Sequence, residues 1–122
     1  METICVIRDI FRAIQHFEDN FIKVHGLCLN EAIILCCLAK GELSATAIVE
    51  ETGMTTSHTS KMLRSVEEKE LVERKLGQKD KRQMYFHLTD KGKQSLENMK
   101  CGSVAVPEVL KPIFNKKCNK LL

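Results

Sequence analysis

Near residue 70 the hydrophobic period of this chain changes. Upstream, apolar residues recur every three or four positions, the spacing of helices that pack along one face. Downstream, two short runs rich in β-formers flank Gly77 and read as paired strands. The longest helical stripe comes first: Ile4, Ile7, Phe11, Ile14, Phe17 and Phe21, with Ile10 and Ile22 beside it, face away from Arg8, Arg12, Gln15 and Asp19. It covers about six turns and stops at His25-Gly26, where glycine is a good helix end. So wide an apolar face on one helix predicts packing against other helices, across a dimer.

Shorter helices follow. Asn30 is the expected N-cap of a helix over 31–39 that ends at Lys40-Gly41. Ser44 caps the next, which carries Thr46, Ala47, Ile48 and Val49 and ends at Thr52-Gly53. Thr55 or Thr56 caps a third helix running to about Lys69, with Thr59, Met62, Leu63 and Val66 facing inward. Strands are expected over 71–75 and 82–88, joined through Gly77 as a hairpin. Thr89 or Asp90 then caps a helix to Met99, Cys101-Gly102-Ser103 breaks it, and Val109, Leu110, Ile113 and Phe114 suggest one more short helix despite Pro112.

Charge is segregated along the chain. Residues 1–53 hold four basic and eight acidic groups, a net of −4, whereas 54–93 carry +4 and 94–122 carry +3. Arg74, Lys75, Lys79, Lys81 and Arg82 crowd around a single Asp80, and a basic cluster on a defined loop points to an anionic partner. The longest apolar run is about eight residues, far short of the roughly twenty that span a bilayer, and the N-terminus lacks a signal-peptide pattern, so no membrane association and a cytoplasmic location are expected. The six cysteines (Cys5, Cys28, Cys36, Cys37, Cys101, Cys118) form no C-x-x-C pair and have no histidine at finger spacing. They read as reduced thiols, with no metal site and no cofactor. His16, His25, His58 and His87 are scattered, no nucleophile–base pair has a recognisable context, and no phosphate-cradling glycine loop occurs, so no enzyme is expected.

The order of the central elements carries the functional expectation. Two helices meet across Gly53, and a basic hairpin follows directly. This is a winged helix-turn-helix pattern, mainly α with a small β-hairpin. The second helix offers Thr56, Ser57, His58, Ser60, Lys61, Arg64 and Ser65 on its outer face. Small polar and hydrogen-bonding groups of this kind suit the major groove of DNA, and Ser, Thr and His are poor helix formers to select for solvation alone.

From Leu29 to Gly92 the chain resembles the multiple-antibiotic-resistance regulator (MarR) family of transcription factors. The matching runs are LNEAIILCCLAKGELSATAIVEETGMTTSHTSKMLRSVEEKELVERK and DKRQMYFHLTDKG, and Asp80-Lys81-Arg82 followed by Leu88-Thr89 and Lys91-Gly92 matches the family's wing signature. The resemblance implies an N-terminal dimerisation helix at 1–28, a winged helix-turn-helix DNA-binding domain at 29–92 and a shortened C-terminal dimerisation helix at 93–122. It implies a homodimer on a palindromic double-stranded operator, a repressor's role, and a small-molecule effector. Ser57, His58 and Lys61 would face base edges, with Thr56 and Ser60 beside them. Arg64 would meet phosphate or a base, Arg82 would reach the minor groove with Lys79 and Lys81 nearby, and Asp80 would hold Arg82 by an ion pair. Three positions depart from the pattern: Glu70 stands where the family has glycine at the end of the recognition helix, Thr59 where it has an aliphatic residue, and Val49 where it has alanine. Two other readings are a thiol-based redox sensor using Cys5, which would need a depressed thiol pKa, and a winged-helix module that binds protein instead of DNA.

Overall fold

The computed structural model of the chain describes residues 2–77, 83–100 and 104–113. They fall into two compact units. In the first, helix α1 runs from Glu2 to His25 as the stripe predicts. Phe17 and Phe21 rings lie 5.9 Å apart and Phe21 and His25 4.6 Å apart, with Phe21 buried. Ile4, Ile7, Phe11 and Ile14 remain exposed. Gly26, with φ of 71°, closes the helix. The helix expected beyond Pro107 begins as a 3-10 turn, Glu108–Leu110, and continues helically over 111–113. Pro112 falls in that first turn, where a missing N–H breaks nothing; Phe114 lies outside the described residues.

The second unit contains the remaining elements: α2 (Leu29–Cys37), β1 (Leu43–Ser44), α3 (Ala45–Thr52), α4 (Thr56–Glu68), β2 (Val72–Leu76), β3 (Met84–Leu88) and α5 (Asp90–Lys100). Its core is Ile34, Leu35, Ile48, Val66 and Val72, all essentially without solvent contact, with Leu38, Leu63, Leu71, Phe86, Leu88 and Leu96 around them. Burying an aliphatic or aromatic side chain is worth about 1.5–3 kcal/mol, so this set is the principal source of stability.

Three details differ from the sequence expectation. The N-cap of α2 is Cys28, not Asn30: the Glu31 carboxylate reaches back to accept the Cys28 N–H at 3.0 Å, which closes the helix start without a polar cap residue. The helix also stops at Cys37, and its last turn tightens to a 3-10 turn over Leu38–Lys40 before Gly41. The hairpin gains a third strand, giving the antiparallel order β1-β3-β2 with Leu43 opposite Phe86 and Ser44 opposite Tyr85.

In the β2–β3 ladder, Val72 pairs with Leu88, Arg74 with Phe86 and Leu76 with Met84, so these six share one face. Glu73 and His87 pair on the other, 3.2 Å apart. Gly77 donates its N–H to Gln83 O at 2.8 Å and fixes the register at the open end. At the other end Thr89 caps α5, accepting the Gly92 N–H at 3.0 Å. Gly92 is required there: a Cβ would stand 2.0 Å from the Leu71 carbonyl oxygen.

Candidate nucleic-acid interface

The turn between α3 and α4 is pinned at several points. Ser44 accepts the Ala47 N–H at 3.2 Å and starts α3. Thr52 donates to Ile48 O at 2.8 Å and accepts the Met54 N–H at 3.2 Å. Gly53 sits at φ 73°, the left-handed conformation that ends α3 at little steric expense. Thr55 then accepts the His58 N–H at 3.1 Å and starts α4.

Helix α4 buries Thr59, Leu63 and Val66 and half-buries Met62. This orientation fixes the opposite face. Thr56, Ser57, Ser60, Lys61 and Arg64 are exposed together, as expected. His58 is half-buried and turned toward α2, with its Nε2 2.7 Å from the Asn30 amide nitrogen. Asn30, read from the sequence as a cap, instead joins α2 to the first turn of α4.

The far end of α4 is held by a buried carboxylate. Glu31 is only 4% exposed; it accepts from Ser65 Oγ at 2.7 Å and from Lys69 Nζ at 2.8 Å, besides Cys28 N. Burial alone would raise its pKa, but the hydrogen bonds from Lys69, Cys28 and Ser65 more than offset this and hold it below the ordinary glutamate value. Burial pushes the neighbouring Cys28 thiol up. Helix α4 ends with Glu70 N–H donating to Glu67 O at 2.9 Å and Leu71 N–H to Val66 O at 3.0 Å, the two bonds of a Schellman motif. Its left-handed position is occupied by Glu70, with φ of 63°.

Helix and sheet are joined through Arg74. Its Nε and Nη2 donate to the two Glu67 oxygens at 2.7 and 2.5 Å, and its guanidinium lies 5.5 Å from the Phe86 ring centroid. A cleft of about 260 Å³ opens here, lined by Ser60, Leu63, Arg64, Arg74, Met84 and Phe86 among others. Lys75 pairs with Glu42 at 2.5 Å, which ties β2 to the approach to β1. Arg74 stood out in the sequence only as one of a basic run, and nothing there distinguished it from a solvated charge.

The wing residues Lys79, Asp80, Lys81 and Arg82 lie outside the described residues. Cys5 is half-buried on α1, in the other unit. Among the described residues no group of three or more His, Cys, Asp or Glu could hold a metal ion, and no single helix is long and apolar enough to cross a membrane.

The sequence model of the SarA/Rot transcriptional regulators matches residues 17–99, the stretch that contains the whole helix-turn-helix and its sheet. The chain belongs to the SarA/Rot family of transcriptional regulators. Among curated proteins, this SarA/Rot member is 25% identical over 104 residues to the HTH-type transcriptional regulator YwaE of Bacillus subtilis, covering 81% of the chain and 61% of YwaE. It thus spans about three-fifths of that relative's length. Among solved structures, the transcriptional regulator BldR of Sulfolobus solfataricus matches with a TM-score of 0.72 at 25% identity, over 94% of this chain and 78% of BldR. A mutant MarR from E. coli, complexed with operator DNA, matches with a TM-score of 0.71 at 18% identity, over 94% of this chain and 84% of MarR. The MarR resemblance therefore holds at the level of the fold, and the family is SarA/Rot.

Proposed function

We propose that this SarA/Rot regulator binds double-stranded DNA sequence-specifically as a homodimer, on a palindromic operator, and represses by occupying it. The observation that carries the reading is the exposed face of α4: Thr56, Ser57, Ser60, Lys61 and Arg64 project together from a helix whose inner face is locked in the core. A helix presented in this way fits the major groove, where Lys61 and Ser57 reach base edges and Arg64 a phosphate or base. His58 reads a base edge once its ring leaves Asn30. Lys79, Lys81 and Arg82 of the wing add contacts in the neighbouring minor groove, with Asp80 orienting Arg82. The MarR mutant, which shares this fold, is complexed with operator DNA, and that likeness of fold supports a DNA-binding reading here.

Residues 1–28 and 93–122 supply the dimer in this reading, and the exposed Ile4, Ile7, Phe11 and Ile14 of α1 support it as an apolar stripe in need of a partner. Such a regulator acts in the cytoplasm, where it meets the genome, and a small-molecule effector is a natural input. Selection of bound fragments from random duplex DNA tests the proposal. Enrichment of a two-fold symmetric motif, with half-sites about one helical turn apart, is the expected result; recovery of unenriched DNA at every salt concentration would refute it.

A further inference from the structure

Arg74 is placed to do more than tie β2 to α4. A guanidinium has five N–H donors. Here Glu67 takes the Nε and one Nη2 hydrogen, leaving the opposite edge, formed by Nη1 and the second Nη2 hydrogen, without a demand from that pair. The side chain is half exposed and is steadied from below by the Phe86 ring. Its position is fixed by sheet register as well as by the ion pair, because Arg74 stands directly opposite Phe86 and both project toward the helix side of the sheet.

The cleft that Arg74 lines also receives Arg64 and Ser60. These two are four residues apart on α4 and so lie one above the other on the same flank. The flank belongs to the exposed face already assigned to DNA. Two guanidiniums and a hydroxyl thus converge at the seam between helix and sheet, over an apolar floor of Leu63, Met84 and Phe86. That combination suits a tetrahedral anion carried on a polymer. The arginines supply planar donor edges, the hydroxyl supplies a further donor, and nothing on the floor competes for the donors. A base edge is a poorer match, because the groups lie in the angle beside the helix and not on its crest.

We infer that a backbone phosphate of bound duplex DNA seats in this cleft, gripped by the outer edge of Arg74 while Glu67 and Phe86 hold the inner edge, with Arg64 and Ser60 completing the site. The inference rests on the DNA-binding reading and adds to it a contact that sets the register of the protein on the duplex. Contacts of this type carry no sequence information, and losing one weakens binding at all sites alike. Glu67 is then a positioning residue: it fixes a long side chain before DNA arrives, so less rotamer freedom is lost on binding.

The test removes Arg74 and Glu67 together. The double variant Arg74→Gln, Glu67→Gln leaves net charge unchanged and strands no buried carboxylate, so long-range attraction for DNA is preserved. Binding to sheared mixed-sequence duplex DNA is titrated over a series of salt concentrations. The expected result is affinity about three- to ten-fold weaker at low salt, with the slope of log affinity against log salt about one smaller per protomer, the signature of a lost phosphate contact. A parallel wild-type measurement does not depend on the variant's folding: dicarbonyl modification of arginines, mapped by mass spectrometry, should show Arg74 and Arg64 protected together when the same DNA is added. An unchanged slope in a folded double variant, or an Arg74 equally reactive with and without DNA, overturns the inference and leaves Arg74 a strut. Failure of the wild-type chain to bind duplex DNA at any salt concentration overturns the underlying DNA reading as well, and so is a distinguishable result.

Discussion

The Glu31 carboxylate, near the start of α2, meets the Lys69 ammonium, just past the end of α4, at 2.8 Å. The contact joins residues 38 apart in sequence and anchors the end of α4 distant from the helix-turn. Because the carboxylate is buried and also serves Cys28 N and Ser65 Oγ, removing it takes a shared acceptor away from the start of α2 and the end of α4. Glu31→Gln should lower unfolding free energy by about 1–3 kcal/mol at neutral pH, as read from urea midpoints. The pH dependence has a definite sign. Folded Glu31 has a lowered pKa, so its contribution is complete above about pH 5, where the unfolded glutamate is already ionised, and declines as pH falls through the native value. The variant should lose that part of the acid dependence; an unaltered acid limb of the stability profile contradicts the assignment.

Thr59 is 1% exposed, and its hydroxyl has no hydrogen-bond partner among the described residues. Its neighbours on the inner face of α4 are Leu63 and Val66. Thr59→Val keeps the shape and removes the buried, unpaired hydroxyl, so it should stabilise the protein by about 1 kcal/mol. Thermal melts of the two chains decide the point, and a lower midpoint for valine would show that the hydroxyl is satisfied.

Glu70 occupies the left-handed end of α4 at φ 63°. An L-residue there is disfavoured by about 1–2 kcal/mol, part of which glycine returns to the unfolded chain as added freedom. Glu70→Gly should therefore raise stability by about 0.5–1 kcal/mol, measured by urea denaturation. A loss would mean that the 4.0 Å approach of Lys91 to Glu70 is worth more than backbone relief.

Gly92 admits no side chain beneath the Leu71 carbonyl. Gly92→Ala forces α5 away from the end of α4 and should destabilise by about 2 kcal/mol or more, as overpacking does. Equal melting temperatures for alanine and glycine would show that α5 shifts without penalty.

Lys61 and Arg82 separate reading from holding. Lys61→Ala should change which bases are preferred in a selection from random DNA, whereas equal weakening at every sequence would make Lys61 a phosphate contact. Arg82→Ala should weaken operator binding about ten-fold in a gel-shift titration, and undiminished affinity would remove the wing from the DNA-binding reading.

Local chemistry makes most of this fold legible in the sequence. Ser44 and Gly53 each fill a position with a specific backbone demand and are found where the sequence places them, and of the paired alternatives Thr55/Thr56 and Thr89/Asp90 the caps are Thr55 and Thr89. What escaped was hidden by residue type, by shortness, or by partners distant in sequence. A cysteine is a poor capping residue, so Cys28 was invisible until Glu31 was seen to reach back to it. Strand β1 has two residues, too few to display a period. Asn30 and His58 each looked local, and only packing of α2 on α4 reveals that they bond to each other. The exposed side of α4 was readable because periodicity identifies its buried side. The role of Arg74 was not, because a charge run looks the same whether its members are solvated or held.

With β3 in the middle of the sheet, the outer flanks are β1 and β2. One is too short to template a further strand, and the other bears the charged side chains of Glu73, Arg74 and Lys75. Recruitment of a neighbouring polypeptide by backbone pairing is thereby discouraged on both sides. The protein can be concentrated with little risk of fibrous growth from this sheet.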